Sequence, residues 1–411
     1  MHRPHDKPAY VAQFDHDDFQ FGLEVVLGAC QRGAADAGEV LVTAARIKDG
    51  DADAWVRQWT TTADAVEAAG REAAAAGRRV SALAYLRRAA TYLATALDQI
   101  DASHDHDGKR ALWRRQRACW EQVVDLSGGE RMAIPYEDTM MPGFFFRAPG
   151  SAPGEPRPLV VLNNGSDGAT SHMWVQGGAA ANERGYHWMT FDGPGQQALL
   201  FEQGVPFRPD WEAVLTPVLD AMVARSDVDA ERIAVIGISQ GGFWVPRALA
   251  FEHRFAAAVA DPGVVDVSTS WTEPLPKSLR RDLAGGKEKQ FDRTMRIGER
   301  FSRSTTALLT FRGEPYGLHD DSRFRLYETV SEYRLGDEVA QIDTPLLITE
   351  PEREQFWPGQ SQELLDRLPG EKQLVRFTAA EGAGRHCEPM APALRDARVF
   401  DWLDRYLAQP G

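Results

Sequence analysis

Cysteine is scarce in this chain of 411 residues, which contains three: Cys30, Cys119 and Cys387. Three scattered cysteines cannot build a disulfide framework, and they lack the paired spacing of a zinc site. We therefore expect neither a disulfide-stapled domain nor a metal centre. Cys387 follows a histidine, but side chains of adjacent residues usually point apart, so a thiol nucleophile is not favoured.

Positive charge is also in short supply, because 46 Lys and Arg stand against 60 Asp and Glu, for a net charge of -14. Such a protein is repelled by nucleic acids and by anionic membranes. No stretch approaches 18 uninterrupted apolar residues, and residues 1–7 lack the apolar core of a secretion signal. We expect a cytoplasmic protein that acts on a small molecule, with neither nucleic acid nor membrane as a partner.

The first third of the chain has the pattern of helices and no convincing strand. Alanine-rich segments with apolar residues at helical spacing occur at 19–35, 40–48, 53–76, 79–97 and 108–126. This pattern predicts a helical N-terminal cap domain over residues 1–130.

From residue 131 to 411 short apolar strands alternate with helices, which predicts an α/β fold with a mostly parallel sheet covered on both faces. Strands are predicted at 141–147, 159–163, 186–191, 232–237, 256–260, 345–349 and 373–378. The alternation stops over about 264–342, where we predict a helical cap insertion above the carboxyl ends of the strands. Ligands of open parallel sheets bind at those ends.

The most informative motif is Gly237-Ile-Ser239-Gln-Gly241, which joins a β-branched strand directly to an apolar helical stretch. A serine at such a sharp turn is exposed as a nucleophile, and glycines two residues before and after it avoid a collision. The amide of Gln240, at the start of the helix, is predicted to form one half of an oxyanion hole.

A nucleophilic serine needs a base, which this order of elements places late in the chain. His386 lies in a glycine-rich loop between the last predicted strand and a final helix at 391–407, and we predict that it is the base. His172, which follows the loop 163–168, is the second candidate and a possible pocket residue.

The orienting acid is expected in the loop after the strand 345–349, where three glutamates compete. Glu354 is the first choice, because it stands four residues before Pro358, an offset at which this arrangement often carries its acid. Glu352 is the alternative acid, and Glu350 is interpreted as a residue of the strand end.

A second oxyanion donor is expected in the loop after the apolar strand 158–163, which runs into small and polar residues that allow a close approach to a substrate. By position, the amide of Ser166 is the predicted donor. Further candidates for the substrate pocket are Trp244, Trp271, Tyr316 and His319, although each is individually more typical of ordinary packing.

Together these motifs resemble a known family. Asp192-Gly-Pro-Gly-Gln196, the segment 229–242, the segments 246–250 and 259–263 and the His386-Cys387 loop are similar to α/β-hydrolases related to 2,6-dihydroxypseudooxynicotine hydrolase and to fungal polyketide chain-shortening hydrolases. The similarity spans about 159–407, and the N-terminal helices resemble that family's cap. In that family the acid is usually aspartate, whereas this chain offers glutamates.

The resemblance implies an α/β-hydrolase fold, a Ser-acid-His triad without metal or cofactor, and commonly a homodimer. It also implies hydrolysis of a carbon–carbon bond beside a ketone, in a β-diketone or an aromatic polyketide-like substrate. A carboxylesterase is the nearest alternative, and a ligand-binding receptor with this fold is the second. An oligopeptidase is less favoured, because the N-terminal region shows no repeated four-stranded blades.

Overall fold

The computed structural model describes residue 10 and residues 12–152, 154–301, 303–317 and 322–408. Its N-terminal part contains helices α1 Asp17–Gly28, α2 Ala37–Ala44, α3 Ala52–Ala75, α4 Arg79–Leu97 and α5 Lys109–Ser127. Asp36 and Asp51 cap the starts of α2 and α3 by accepting hydrogen bonds from backbone amides. Gly70 lets α3 approach α4, since a Cβ there would lie 2.9 Å from Leu86 Cγ.

Eight strands form one sheet. They are β1 Glu130–Tyr136, β2 Thr139–Phe146, β3 Arg157–Asn163, β4 His187–Phe191, β5 Val228–Ile238, β6 Ala257–Asp261, β7 Leu346–Pro351 and β8 Lys372–Phe377. Their order is β1-β2-β4-β3-β5-β6-β7-β8. β2 pairs antiparallel with both of its neighbours, β1 and β4. The other six strands, β3 to β8, are parallel to one another. The predicted α/β class and parallel sheet are confirmed, while β1 was missed.

The remaining helices cover the sheet and fill the insertion. The α/β part contributes α6 Gly178–Glu183, α7 Gln197–Gln203, α8 Glu212–Val223 and α9 Gly241–Leu249. Between β6 and β7 lie α10 Thr269–Thr272, α11 Lys277–Ala284, α12 Glu288–Phe301, α13 Arg303–Gly313 and α14 Arg323–Val330. α15 Gln360–Arg367 and α16 Pro392–Leu407 complete the described chain. The insertion is therefore helical, as its composition predicted.

Apolar clusters lie on both faces of the sheet. Along β3, Leu159 and Val161 belong to the cluster shared with the insertion, and Val160 and Leu162 belong to the cluster shared with the N-terminal helices. This alternation explains why the strand is apolar throughout, since both of its faces are buried. The N-terminal helices thus share a core with the sheet. No helix in the described ranges combines the length and apolarity needed to cross a membrane.

Candidate active site

Ser239 occupies a strained turn between β5 and α9. Its φ is +57°, in the left-handed region that non-glycine residues rarely adopt. A Cβ at Gly237 would lie 2.2 Å from the carbonyl oxygen of Gly241, and a Cβ at Gly241 would lie 2.8 Å from the carbonyl oxygen of Asn163. Both motif glycines are therefore sterically required. The Ser239 amide donates to the Asp261 carbonyl at 2.6 Å, which fixes the turn against β6.

Three of the predicted residues meet at this turn. The Ser239 hydroxyl lies 2.9 Å from His386 Nε2. On the other side of the ring, His386 Nδ1 lies 2.8 Å and 3.0 Å from the two carboxylate oxygens of Glu354. The side chains of His386 and Glu354 are 5% and 6% exposed, so water competes little for these hydrogen bonds. The arrangement can pass a proton from the serine to the imidazole and hold the imidazolium next to a carboxylate.

Hydrogen bonds and the charge of His386 keep Glu354 ionised. Burial alone would raise its pKa, but the charge and hydrogen bond of His386 and the amides of Phe356 and Trp357 outweigh it, so its pKa is lowered. Those amides donate to Oε1 at 2.9 Å and 3.2 Å. Burial likewise opposes protonation of His386, yet the Glu354 carboxylate dominates, and the pKa of His386 is raised.

The two competing glutamates lie elsewhere. Glu350 pairs with Arg376 at 2.5 Å, and its position in β7 agrees with its interpretation as a strand-end residue. Glu352 is exposed and accepts a hydrogen bond from the amide of Ala379 at 2.7 Å. Among the described residues, neither forms a hydrogen bond or ion pair with His386, whereas Glu354 does.

The loop after β3 comes directly against the serine. A Cβ at Gly165 would lie 2.7 Å from Ser239 Cβ and 3.3 Å from its hydroxyl oxygen. The Gly165 amide is already bound by Asn164 Oδ1 at 2.8 Å. The next amide, that of Ser166, and the amide of Gln240 donate to no acceptor among the described residues. Both are thus available as oxyanion donors.

Sequence reasoning missed the side chain that holds this loop. Gln196, from the Asp192-Gly-Pro-Gly-Gln196 motif, donates through Nε2 to the carbonyls of Asn164 at 2.9 Å and Gly165 at 2.7 Å. Its Oε1 accepts from the Gly193 amide at 2.8 Å. In the sequence this motif indicates a family resemblance and does not show which backbone groups Gln196 contacts, because the loop after β3 lies more than 30 residues away.

Known proteins are similar in sequence to part of this chain, and a solved structure is similar to its fold over most of its length. The Prolyl oligopeptidase family model matches residues 215–315, which include the serine turn. Hydrolase acrC of Aspergillus aculeatus is 33% identical over 272 residues, 62% of this chain and 63% of acrC. The 20-hydroxy-prefusarin hydrolase FUS2 of Gibberella moniliformis is 32% identical over 267 residues, 62% of each chain. The chain thus spans less than two thirds of the length of either relative.

A solved structure shares the fold of this chain. The crystal structure of 2,6-dihydroxy-pseudo-oxynicotine hydrolase superposes with a TM-score of 0.72 at 19% identity, covering 93% of this chain and 95% of that one. This chain is an α/β-hydrolase related to these proteins. The superposition includes the N-terminal helices, so the helical region is part of the shared architecture.

Two of the predicted pocket residues of this α/β-hydrolase lie near the serine turn. The Tyr316 hydroxyl lies 3.5 Å from Gln240 Oε1. Trp271 packs edge-on against Tyr316, with ring centroids 5.7 Å apart. Both rings belong to the insertion; Tyr316 contacts the side chain of Gln240, and Trp271 packs behind Tyr316.

Other predicted pocket residues lie away from it. Trp244 is fully buried and stacks on Trp211 with ring centroids 4.1 Å apart, so its ring serves packing and offers no surface to a substrate. His172 lines a separate cavity of about 20 Å³ with Val25 and Arg395, and burial lowers its pKa to about 4. His319 lies outside the described residues.

Helix α1 reaches the loop that carries His386. Arg385 pairs with Asp17 at 2.8 Å and with Glu24 at 3.2 Å, both on α1. The ring of Phe21, from the same helix, lies 6.3 Å from the ring of His386. The N-terminal helices therefore contact the residues that position the base.

Two further acidic side chains lie close to the site. Asp98 directly follows α4, and Asp167 borders Ser166. The pKa of each is raised, mainly by burial of the carboxylate, and the charge of Asp167 adds to the effect on Asp98. Asp167 also interacts electrostatically with His386, so these two carboxylates lie near the base. Within the described ranges no three His, Cys, Asp or Glu residues cluster as metal ligands would.

Proposed function

We propose that this α/β-hydrolase is a serine hydrolase with Ser239 as nucleophile, His386 as base and Glu354 as orienting acid. The observation that carries the proposal is the continuous hydrogen-bonded path from the Ser239 hydroxyl through His386 to Glu354. It lies at the carboxyl ends of parallel strands, where ligands of such sheets bind.

The first half of the reaction forms an acyl-enzyme. Ser239 Oγ attacks a substrate carbonyl carbon while His386 Nε2 takes the hydroxyl proton. The amides of Gln240 and Ser166 donate to the oxyanion that forms. Glu354 holds the neutral imidazole in the tautomer with its proton on Nδ1 and then stabilises the imidazolium, which gives its Nε2 proton to the leaving group.

We propose that the bond broken is a carbon–carbon bond beside a ketone, in a β-diketone or aromatic polyketide-like substrate. The electron pair of that bond passes to the neighbouring carbonyl and forms an enolate, whose α-carbon then takes the proton from His386. Water attacks the acyl-enzyme and gives one proton to His386. His386 Nε2 returns that proton to Ser239 Oγ as the bond between Oγ and the acyl carbon breaks, which releases a carboxylic acid and restores Ser239. The sequence resemblance supports this choice, and the relative FUS2 is by name a hydrolase of one small molecule.

The test compares two substrates at matched concentration. Wild-type protein is incubated with benzoylacetone, a 1,3-diketone, and with p-nitrophenyl acetate, and the products are identified by mass spectrometry. We expect a carboxylic acid and a ketone from benzoylacetone. Turnover of the ester alone would favour a carboxylesterase, and acylation without product release would favour a receptor that retains the hydrolase fold.

We further propose that the N-terminal helices, predicted over residues 1–130, act as a cap on this site. The contacts of Asp17, Phe21 and Glu24 with the His386 loop support this role. The homodimer remains a prediction that sedimentation equilibrium would test, and the cytoplasmic location also remains a prediction.

A further inference from the structure

Within the described ranges, no carboxylate forms an ion pair with Arg312, a cation on the insertion. Its guanidinium donates to Ser270 Oγ at 3.0 Å and stacks over the ring of Trp271 at 4.6 Å. Asp167 and Asp18 interact with it electrostatically, but neither forms an ion pair with it in the described part of the chain. Burial lowers the pKa of Arg312, so the protein does not fully stabilise this charge.

A short series of contacts connects this cation to the nucleophile. Trp271, beneath the guanidinium, packs edge-on against Tyr316, and the Tyr316 hydroxyl meets the side chain of Gln240. Gln240 directly follows Ser239. Arg312 also interacts with Asp167, which borders the predicted oxyanion donor Ser166. These contacts place the guanidinium on the same side of the site as Gln240 and close to Asp167.

The location of α13 supports a role in ligand binding. This helix packs against the turn Ile100–Ala102, just after Asp98, so Arg312 lies where the insertion meets the N-terminal helices. A guanidinium has five donors in a planar fork, and among the described residues Arg312 has one hydroxyl acceptor and one aromatic ring as its direct contacts. Arg312 is partly buried, so the rest of the fork can bind a further acceptor, and the fork matches an anionic oxygen.

We infer that Arg312 binds the anionic oxygen of the substrate's leaving group, the enolate of a 1,3-dicarbonyl compound or the equivalent phenolate of a hydroxyaryl ketone. This inference rests on the proposed function, because breaking a carbon–carbon bond leaves its electron pair on such an oxygen. A cation held in place before the reaction stabilises that charge without reorganisation. An ester with a good leaving group has less need of it.

Binding to the inactive variant Ser239→Ala tests the inference without turnover. Calorimetry compares benzoylacetone, at a pH where it is largely the enolate, with butyrophenone, which has the same skeleton and lacks the second carbonyl. We expect Ser239→Ala to prefer benzoylacetone by about 10- to 100-fold, the range of a hydrogen bond to a charged group. Adding Arg312→Gln should remove that preference, and Arg312→Lys should keep part of it.

Arg87→Gln is the matched control. Arg87 is also a partly buried guanidinium stacked on a tryptophan, 4.3 Å from the ring of Trp174, and among the described residues it has no contact with Ser270, Trp271 or Tyr316. We expect Arg87→Gln to keep the preference for benzoylacetone. Thermal unfolding of each variant shows that it is folded, and Arg312→Lys carries the test if Arg312→Gln does not fold.

Three results would overturn the inference: equal affinity of Ser239→Ala for the two ligands, a preference that survives Arg312→Gln, or a preference that Arg87→Gln abolishes equally. The proposed function fails separately. If wild type cleaves no diketone but Arg312→Gln still removes the preference, Arg312 binds the anion and carbon–carbon hydrolysis is refuted. If wild type cleaves the diketone and Arg312→Gln keeps the preference, only the role of Arg312 is refuted.

Discussion

Replacing Glu354 by glutamine tests the assignment of the acid, because the change keeps the size of the side chain and removes its charge. In the structure, Oε1 accepts from the amides of Phe356 and Trp357, and both oxygens accept from His386 Nδ1. A glutamine oxygen can satisfy the two amides. Its NH₂ group then faces His386 Nδ1, which must become an acceptor.

The consequence is a wrong tautomer. With its proton moved to Nε2, His386 presents a donor to Ser239, 2.9 Å away, and cannot take the hydroxyl proton. The same exchange of carboxylate for amide in a serine protease lowers kcat by roughly 10,000-fold. We expect a loss of that order for Glu354→Gln, with an unchanged fold.

The pH dependence should also move. The base must be neutral, and the raised pKa of His386 means that wild-type kcat/KM falls as the pH drops through a value above the ordinary pKa of about 6.5. Glu354 is the main group that raises this pKa, while Asp261 and Asp167 contribute less. Without the Glu354 charge, burial dominates and the acidic limb of the residual activity should shift to lower pH.

The assay is the pH-rate profile of p-nitrophenyl acetate hydrolysis, with Glu352→Gln and Glu350→Gln as matched controls. Both controls replace a glutamate that lies near Glu354 in sequence, Glu350 at the end of β7 and Glu352 in the loop after it, and among the described residues neither forms a hydrogen bond or ion pair with His386. We expect each to stay near the wild-type rate. The reasoning is refuted if Glu354→Gln remains within tenfold of wild type, or if Glu352→Gln is the severe variant.

One substitution and one deletion test the surroundings of the serine. Gly165→Ala places a methyl group 2.7 Å from Ser239 Cβ, a contact that real side chains do not make. The serine must therefore shift, and kcat should fall on the order of 100-fold without loss of fold. A wild-type rate would contradict the close approach. Deleting residues 1–128 removes α1 to α5 and uncovers one face of the sheet, so the remainder should be poorly soluble and inactive on bulky substrates. Unchanged kinetics of a soluble truncated protein would show that the helices have another role.

Much of the fold could be predicted because its signals are local. The strands β3 to β7 have mostly apolar, buried centres, and the helices of the first third repeat their apolar residues at helical spacing. β1 was missed for a physical reason. It pairs only with β2 at the edge of the sheet, and most of its residues are partly or fully exposed, including Arg131 and Ala133, so it carries no apolar run.

The same distinction between local sequence signals and tertiary contacts applies to the residues of the site. Ser239 and His386 stand in motifs that require glycine or a fixed order along the chain, and Glu354 was placed by its offset from Pro358. Gln196, Asp98 and Arg312 could not be predicted, because tertiary structure alone brings them to the site from separate elements. Trp244 was misleading, since a sequence does not show whether an aromatic ring near the nucleophile turns toward the pocket or the core.

The most direct test of the account is the hydrolytic rate of Ser239→Ala with p-nitrophenyl acetate, measured beside intact-mass detection of the acylated wild-type protein. We expect the variant to fold normally and to lose nearly all turnover, keeping at most a residual rate of roughly 1,000- to 10,000-fold over water from binding and the oxyanion amides. The acyl group in wild type should map to Ser239. A wild-type rate in Ser239→Ala, or acylation at another residue, would contradict the assignment of Ser239 as the nucleophile.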